Sequence, residues 1–273
     1  MSKALKKIVD ETREHGYTEL DLCDKGISRL EDIPNLGTLR NLTRLTLSHN
    51  KITTLPSSIV ELQNLENLNL FNNHIEDLPI SLGSLPKLRH LNLAVNRLST
   101  LPKGLGTASG LEILDVTYNN LNEQSLPGNF FIMSQLRALY FGDNDFERIP
   151  PEINQLKNLQ VLVLRDNDLT DLPPELGELK KLRELHIQNN RLMVLPPELG
   201  ALNLGSPRHV FKVEGNPWLQ QIEDQVILGV SHVMDYIRTS GYKTLYENHK
   251  KSPPPPSPKK EKEKNLKKSR KKN

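Results

Sequence analysis

Apolar and polar positions along most of this chain fall into a single frame that returns at a fixed interval. The segment LTRLTLSHNKI at 42–52 is matched at 65–75, 88–98, 111–121, 136–146, 159–169 and 182–192. In each copy apolar residues hold the first, fourth, sixth and eleventh places, and asparagine holds the ninth. These asparagines are Asn50, Asn73, Asn96, Asn119, Asn144, Asn167 and Asn190, at intervals of 23, 23, 23, 25, 23 and 23 residues. Looser copies flank the set at 17–27, with Lys25 in the asparagine place, and at 208–218, where Asn216 restores it. The apolar residues at the fourth and sixth places predict a short strand with alternate side chains inward. The asparagine falls where the chain turns away, and its amide can both donate to and accept from backbone groups of that turn. The rest of each repeat returns over the opposite face. In 172–182 two prolines precede Leu176, Leu179 and Leu182, whose spacing predicts a helical turn.

One such unit cannot bury its own apolar side, so neighbours must stack and share a continuous core. The frame is the signature of leucine-rich repeats. It predicts an α/β solenoid, a horseshoe whose concave face is a parallel sheet. Nine copies at about 4.8 Å per strand give a sheet roughly 40 Å long.

The open ends of a solenoid expose apolar surface and need covers. Residues 1–16 place Leu5, Ile8 and Val9 at helical spacing, which predicts a capping helix. The repeats are expected over 17–218, with seven full copies in 42–207. Residues 219–249 carry a stripe, Ile222, Val226, Val230, Val233 and Ile237, that predicts a cap of one or two helices. The same stripe could instead receive a partner helix, and Trp218 could be cap core or a ligand contact. Residues 250–273 are proline- and lysine-rich without periodicity and are expected to be a disordered basic tail.

Composition sharpens this in two ways. The formal charge of +3 is uneven: residues 251–273 hold 10 Lys/Arg and 2 Glu, a net +8, which leaves −5 for the first 250. The single cysteine, Cys23, excludes an intrachain disulfide and, with no apolar leader in view, suggests a reducing, cytoplasmic setting. Candidate chemistry is sparse. The sequence has neither a phosphate-binding loop nor an HExxH pair, its eight histidines are scattered, and Gly104–Gly106 reads as turn chemistry on the outer face. An enzyme, a metal, a cofactor or a small-molecule substrate is therefore not expected. The tail could bind nucleic acid or an anionic membrane surface, yet it lacks interleaved aromatics. A localisation signal or a solubilising tail fits it as well.

What remains is surface. In the repeat frame, one outward column reads Asp21, Thr46, Asn69, Asn92, Asp115, Tyr140, Val163, His186, Lys212. This column and those beside it are polar at the ends and apolar in the middle, where Phe71, Val95, Ile113, Tyr118, Tyr140, Val161 and Val163 point outward. Asn92, Asp115, Asp143, Arg165 and Asp166 stand among them. An apolar, aromatic centre with charged surroundings is the composition of a protein interface. The plainer account is that β-branched and aromatic residues favour strands. The two extra residues between Asn119 and Asn144 bring Phe130 and Phe131 into a returning segment, as core or as an outer bulge.

Details beyond the repeat carry a resemblance. TYNNLNEQSLPGNFF at 117–131, ALYFGDNDFERIPPEI at 138–153, the run 164–200 and NPW…LGVSHVMDYIR at 216–238 resemble the Ras-group leucine-rich repeat family over essentially the whole chain. The resemblance implies a monomeric, non-enzymatic adaptor that binds the terminal, zinc-bound LIM domain of PINCH. It further implies a place in the integrin-linked kinase, PINCH and parvin complex at focal adhesions, and restraint of Ras-dependent signalling. Direct contact with a Ras-family GTPase or a phosphatase is the alternative that other members suggest. Combined with the surface reading, the LIM domain is expected on the central concave patch, with Tyr140, Tyr118 and Phe71 as anchors.

Overall fold

The computed structural model describes residues 2–252 and 254–259. Nine three-residue strands form one parallel sheet in sequence order: β1 (Glu19–Asp21), β2 (Arg44–Thr46), β3 (Asn67–Asn69), β4 (His90–Asn92), β5 (Ile113–Asp115), β6 (Ala138–Tyr140), β7 (Val161–Val163), β8 (Glu184–His186) and β9 (Val210–Lys212). The fixed interval sets the register. Leu20, Leu45, Leu68, Leu91, Leu114, Leu139, Leu162, Leu185 and Phe211 pair as successive neighbours, and all are buried. A one-residue slip would turn that row outward, so the register is strongly specified.

The asparagine ladder holds each repeat to the one before it. Asn96 Oδ1 accepts from the Ile75 N–H at 2.9 Å, while Nδ2 donates to the Leu70 carbonyl at 3.0 Å and its own repeat's Leu93 carbonyl at 2.9 Å. Asn50, Asn73, Asn119, Asn144, Asn167 and Asn190 repeat the arrangement, and all are buried. An amide serves because it supplies a donor and an acceptor from one short side chain.

The returning segments are 3-10 turns, five residues long in most repeats, such as Pro174–Glu178 and Pro197–Ala201. The spacing of Leu176, Leu179 and Leu182 is a period of three, which matches three residues per turn. Their bonds follow suit: the Leu176 N–H reaches the Pro173 carbonyl and the Leu179 N–H the Leu176 carbonyl, both at 3.1 Å. Gly104 explains itself here, because a Cβ on it would lie 1.6 Å from the Ile80 carbonyl oxygen of the preceding outer segment. The two extra residues between Asn119 and Asn144 are accommodated by two shorter turns, Glu123–Ser125 and Phe130–Ile132. Phe130 and Phe131 are buried, and Phe130 packs on Phe141 at 5.7 Å between ring centres.

The helix α1 (Ser2–Glu14) sets Leu5 and Val9 into the first repeat. At the other end the structure has three helices rather than one or two: α2 (Gln220–Leu228), α3 (Val230–Ile237) and α4 (Ser240–Lys251). Gly229, at φ +118°, separates the first pair, a conformation that side-chain-bearing residues avoid. Thr239 starts α4, its hydroxyl accepting from the Tyr242 N–H. Ile222, Val233 and Ile237 are buried against the last repeat, with Val226 and Val230 half-buried on the same core, so the fold itself uses this stripe. Trp218 is core as well, 8% exposed and donating to the Val213 carbonyl at 3.1 Å. The fully buried Tyr242 hydroxyl donates to the Leu195 carbonyl at 2.5 Å and accepts from the Leu195 N–H at 2.9 Å. Within the span expected to be a tail from residue 250, α4 runs to Lys251, and Ser257 and Lys259 contact the repeats. The remainder of that expectation, residues 253 and 260–273, lies outside the described residues.

Candidate protein-binding site

Stacking in register turns the repeat frame into columns on the concave face. Asp21, Thr46, Asn69, Asn92, Asp115, Tyr140, Val163, His186 and Lys212 are successive Cα partners. Glu19, Arg44, Asn67, His90, Ile113, Ala138, Val161 and Glu184 form the parallel column two residues earlier. The expected site residues occupy β3 to β7 and the turns after them, a width of roughly 20 Å at strand spacing. Phe71, Asn92, Val95, Ile113, Asp115, Tyr118, Tyr140, Asp143, Arg165 and Asp166 are all half-buried.

Val163 is the exception. Although it faces the concave side, it is only 7% exposed. Gly142 leaves a notch there: a Cβ at that position would meet Arg165 Cγ at 3.2 Å and Val163 Cγ1 at 3.5 Å. The Arg165 stem and Val163 fill the space together, so Val163 supports the surface rather than presenting itself.

A feature the spacing did not reveal is the backbone of the turn column. Asp24, His49, Asn72, Val95, Tyr118, Asp143, Asp166 and Asn189 all adopt left-handed backbone, with φ from +53° to +59°. The ninth repeat places Gly215 there, at φ +74°. The conformation aims each N–H at the next repeat, as when Val95 donates to the Thr117 carbonyl at 2.8 Å. Asp and Asn tolerate it readily, whereas a β-branched residue does not. Val95 is the β-branched member of this column.

Asn92 and Asp115 are partly committed to the turn. Asn92 Oδ1 accepts from the Ala94 N–H at 3.0 Å and Asp115 Oδ1 from the Thr117 N–H at 2.9 Å. Asp21 and Asn69 do the same, so an Asx turn recurs through the N-terminal half of the column. Asp115 therefore offers a partner its second oxygen.

Arg165 is clamped within the chain. Its Nη1 lies 2.7 Å from Asp143 Oδ2 and 2.7 Å from Asp166 Oδ2. Burial works against the guanidinium charge, but the two carboxylates outweigh it and raise the pKa above its ordinary value. Asp166 also accepts from Asn189 Nδ2 at 3.0 Å. The result is a preorganised group with one surplus negative charge. Tyr140 stands beside it, its phenol pKa raised by burial and by the charges of Asp115 and Glu184.

Phe71 lies across the sheet from this group and meets His49 edge-on at 5.2 Å. His186 on β8 and Gln188 just after it extend the concave columns beyond the expected residues. The His186 pKa is lowered by burial, with Lys212 and Arg165 acting in the same direction and Glu184 and Glu214 against. Gln188 buries an amide oxygen that makes no hydrogen bond among the described residues. Both sit in the outward columns, but an unmet buried acceptor leaves no mark in a sequence.

Among the described residues no group of three or more His, Cys, Asp or Glu could hold a metal, and no helix is long and apolar enough to cross a membrane. An open, half-apolar curved sheet with preset charged groups is a surface for a macromolecule. Its class is that of leucine-rich repeat interaction scaffolds.

Comparison with known proteins agrees. Residues 18–127 match the family model described as leucine-rich repeat region, and residues 134–192 match leucine rich repeat. Ras suppressor protein 1 of Homo sapiens is 68% identical over 93% of this chain and 92% of its own length. The Mus musculus protein of the same name is 64% identical over the same shares. Among solved structures, a leucine-rich repeat protein of Leptospira interrogans is similar at TM-score 0.53 and 26% identity, covering 80% of this chain and 72% of that one. Internalin C2 of Listeria monocytogenes shares the fold at TM-score 0.59 and 24% identity, over 67% and 76%. The chain belongs to the Ras suppressor protein 1 family of leucine-rich repeat proteins.

Proposed function

We propose that the chain is a non-enzymatic cytoplasmic adaptor whose concave face binds the terminal, zinc-bound LIM domain of PINCH. It thereby joins the integrin-linked kinase, PINCH and parvin complex at focal adhesions and restrains Ras-dependent signalling. The partner comes from the family resemblance. The observation that supports the placement is the half-buried group formed by Tyr118, Tyr140, Asp115 and the Asp143–Arg165–Asp166 clamp on adjacent strands. The zinc belongs to the partner.

Titration calorimetry of the full chain against that LIM domain tests the reading. Tyr140→Ala truncates an anchor and is expected to cost more than about 2 kcal/mol of binding. Asp115→Asn keeps the acceptor for Thr117 and removes only the charge, so a loss there reports electrostatics and not a broken turn. Intact binding in both variants, with folding confirmed by circular dichroism, would move the site off the concave face. Binding that instead follows the nucleotide state of a Ras-family GTPase would favour the alternative partner.

A further inference from the structure

One flank of the solenoid begins immediately past the ladder asparagines, where Lys51, His74, Arg97, Asn120, Asp145, Asp168 and Arg191 occupy equivalent places. Lys51 and Arg97 are exposed, as a charged residue at such a place should be. Asp168 and Arg191 are only 4% and 7% exposed. The difference coincides with the segment 254–259, which leaves the end of α4 and runs over this flank. Arg191 Nε donates to the Ser257 carbonyl at 2.5 Å. Lys259 pairs with Glu147, and Lys250, at the end of α4, pairs with Asp171. Glu123 extends the acidic strip, its carboxylate accepting from the Glu147 N–H at 3.2 Å.

We propose that this flank, formed by Glu123, Asp145, Glu147, Asp168 and Asp171, is a docking site for the chain's own proline-containing segment 254–259, with Lys250 at the end of α4 beside it. Three observations converge on that occupant. Charge is complementary, since the strip is acidic and residues 250–259 hold three lysines and no acidic residue, two of them paired with carboxylates of the strip. The segment suits the span, because Pro254, Pro255 and Pro256 favour an extended chain of about 3.1 Å per residue and lose little freedom on docking. A buried guanidinium also needs acceptors, and Arg191 finds one in the backbone of that segment. The bond between Lys259 and Glu147 lowers the carboxylate pKa and raises that of the amine, as a pair formed in the folded chain should. Both side chains stay half-open to water, with 56% and 44% of their surface exposed, so ionic strength can loosen the contact. Docking in cis withholds the start of the basic tail from other anionic partners and leaves the concave face open.

Backbone ¹⁵N relaxation at Ser257 and Lys259 of the full chain tests this directly. Order parameters near about 0.8 are expected at low salt, falling below about 0.6 in Glu147→Lys and returning in the charge swap Glu147→Lys with Lys259→Glu. Circular dichroism checks that each variant keeps the repeat fold. Mobile residues at 257 and 259 in the unmodified chain would overturn the proposal. So would an undiminished order parameter in Glu147→Lys, or a charge swap that fails to restore order.

Discussion

Replacing Val95 by asparagine is expected to stabilise the protein, although it removes an apolar side chain. Val95 holds φ +57°, in a column whose other members are Asp, His, Asn, Tyr and, in the ninth repeat, Gly. It cannot relax, since its N–H donates to the Thr117 carbonyl at 2.8 Å and its carbonyl accepts from the Asn73 N–H at 3.2 Å. Left-handed backbone costs an L-residue about 1–2 kcal/mol, and asparagine visits it routinely. Against that stands the half-buried valine side chain, whose loss forfeits about 1 kcal/mol or less. The balance is a gain of about 0.5–1 kcal/mol, which is about 1–4 °C in Tm for a chain of this size. Thermal melts followed by circular dichroism measure it, with Val95→Thr as the control that keeps β-branching and gains nothing. Equal Tm values for the two variants would refute the strain argument. If Val95→Asn also weakens LIM-domain binding while raising Tm, the strain is held for the sake of the interface.

Other outcomes follow from single groups. Asn144→Ala leaves the buried Leu121 N–H and Val116 carbonyl without the amide that joins them, and should cost about 2–5 kcal/mol in denaturant melts. Gly104→Ala forces a Cβ against the Ile80 carbonyl and should destabilise by about 1–3 kcal/mol or more, with no change at the concave face. Tyr242→Phe removes the one hydroxyl that serves both the N–H and the carbonyl of Leu195 and should cost about 1–3 kcal/mol, seen as earlier exchange of amides in α4. Burial lowers the His186 pKa, so the unfolded chain binds that proton first as pH falls. Stability should therefore be complete above pH about 6.5 and decline below it, and His186→Gln should flatten the decline.

The sequence by itself determined the solenoid, because a 23-residue period with leucine at fixed places admits one way of burying all of them. It also determined the concave columns, since parallel strands in strict register carry equivalent residues side by side. That is why Asn92, Asp115 and Tyr140 could be placed in one line from spacing alone. Tertiary structure decided how each of those residues is engaged. Val163 and Arg165 share an outward column pattern in the sequence, yet the notch at Gly142 buries the first and two carboxylates clamp the second. The left-handed turn at Val95 has no mark in a residue that ordinarily favours strands. The three-helix cap depended on where Gly229 and Thr239 break one apolar stripe. The contact of Lys259 with Glu147 spans 112 residues, beyond any local pattern. A periodic pattern fixes what is repeated, namely the core and its register. Pairings between side chains that differ from one repeat to the next arise only when the stack brings them together.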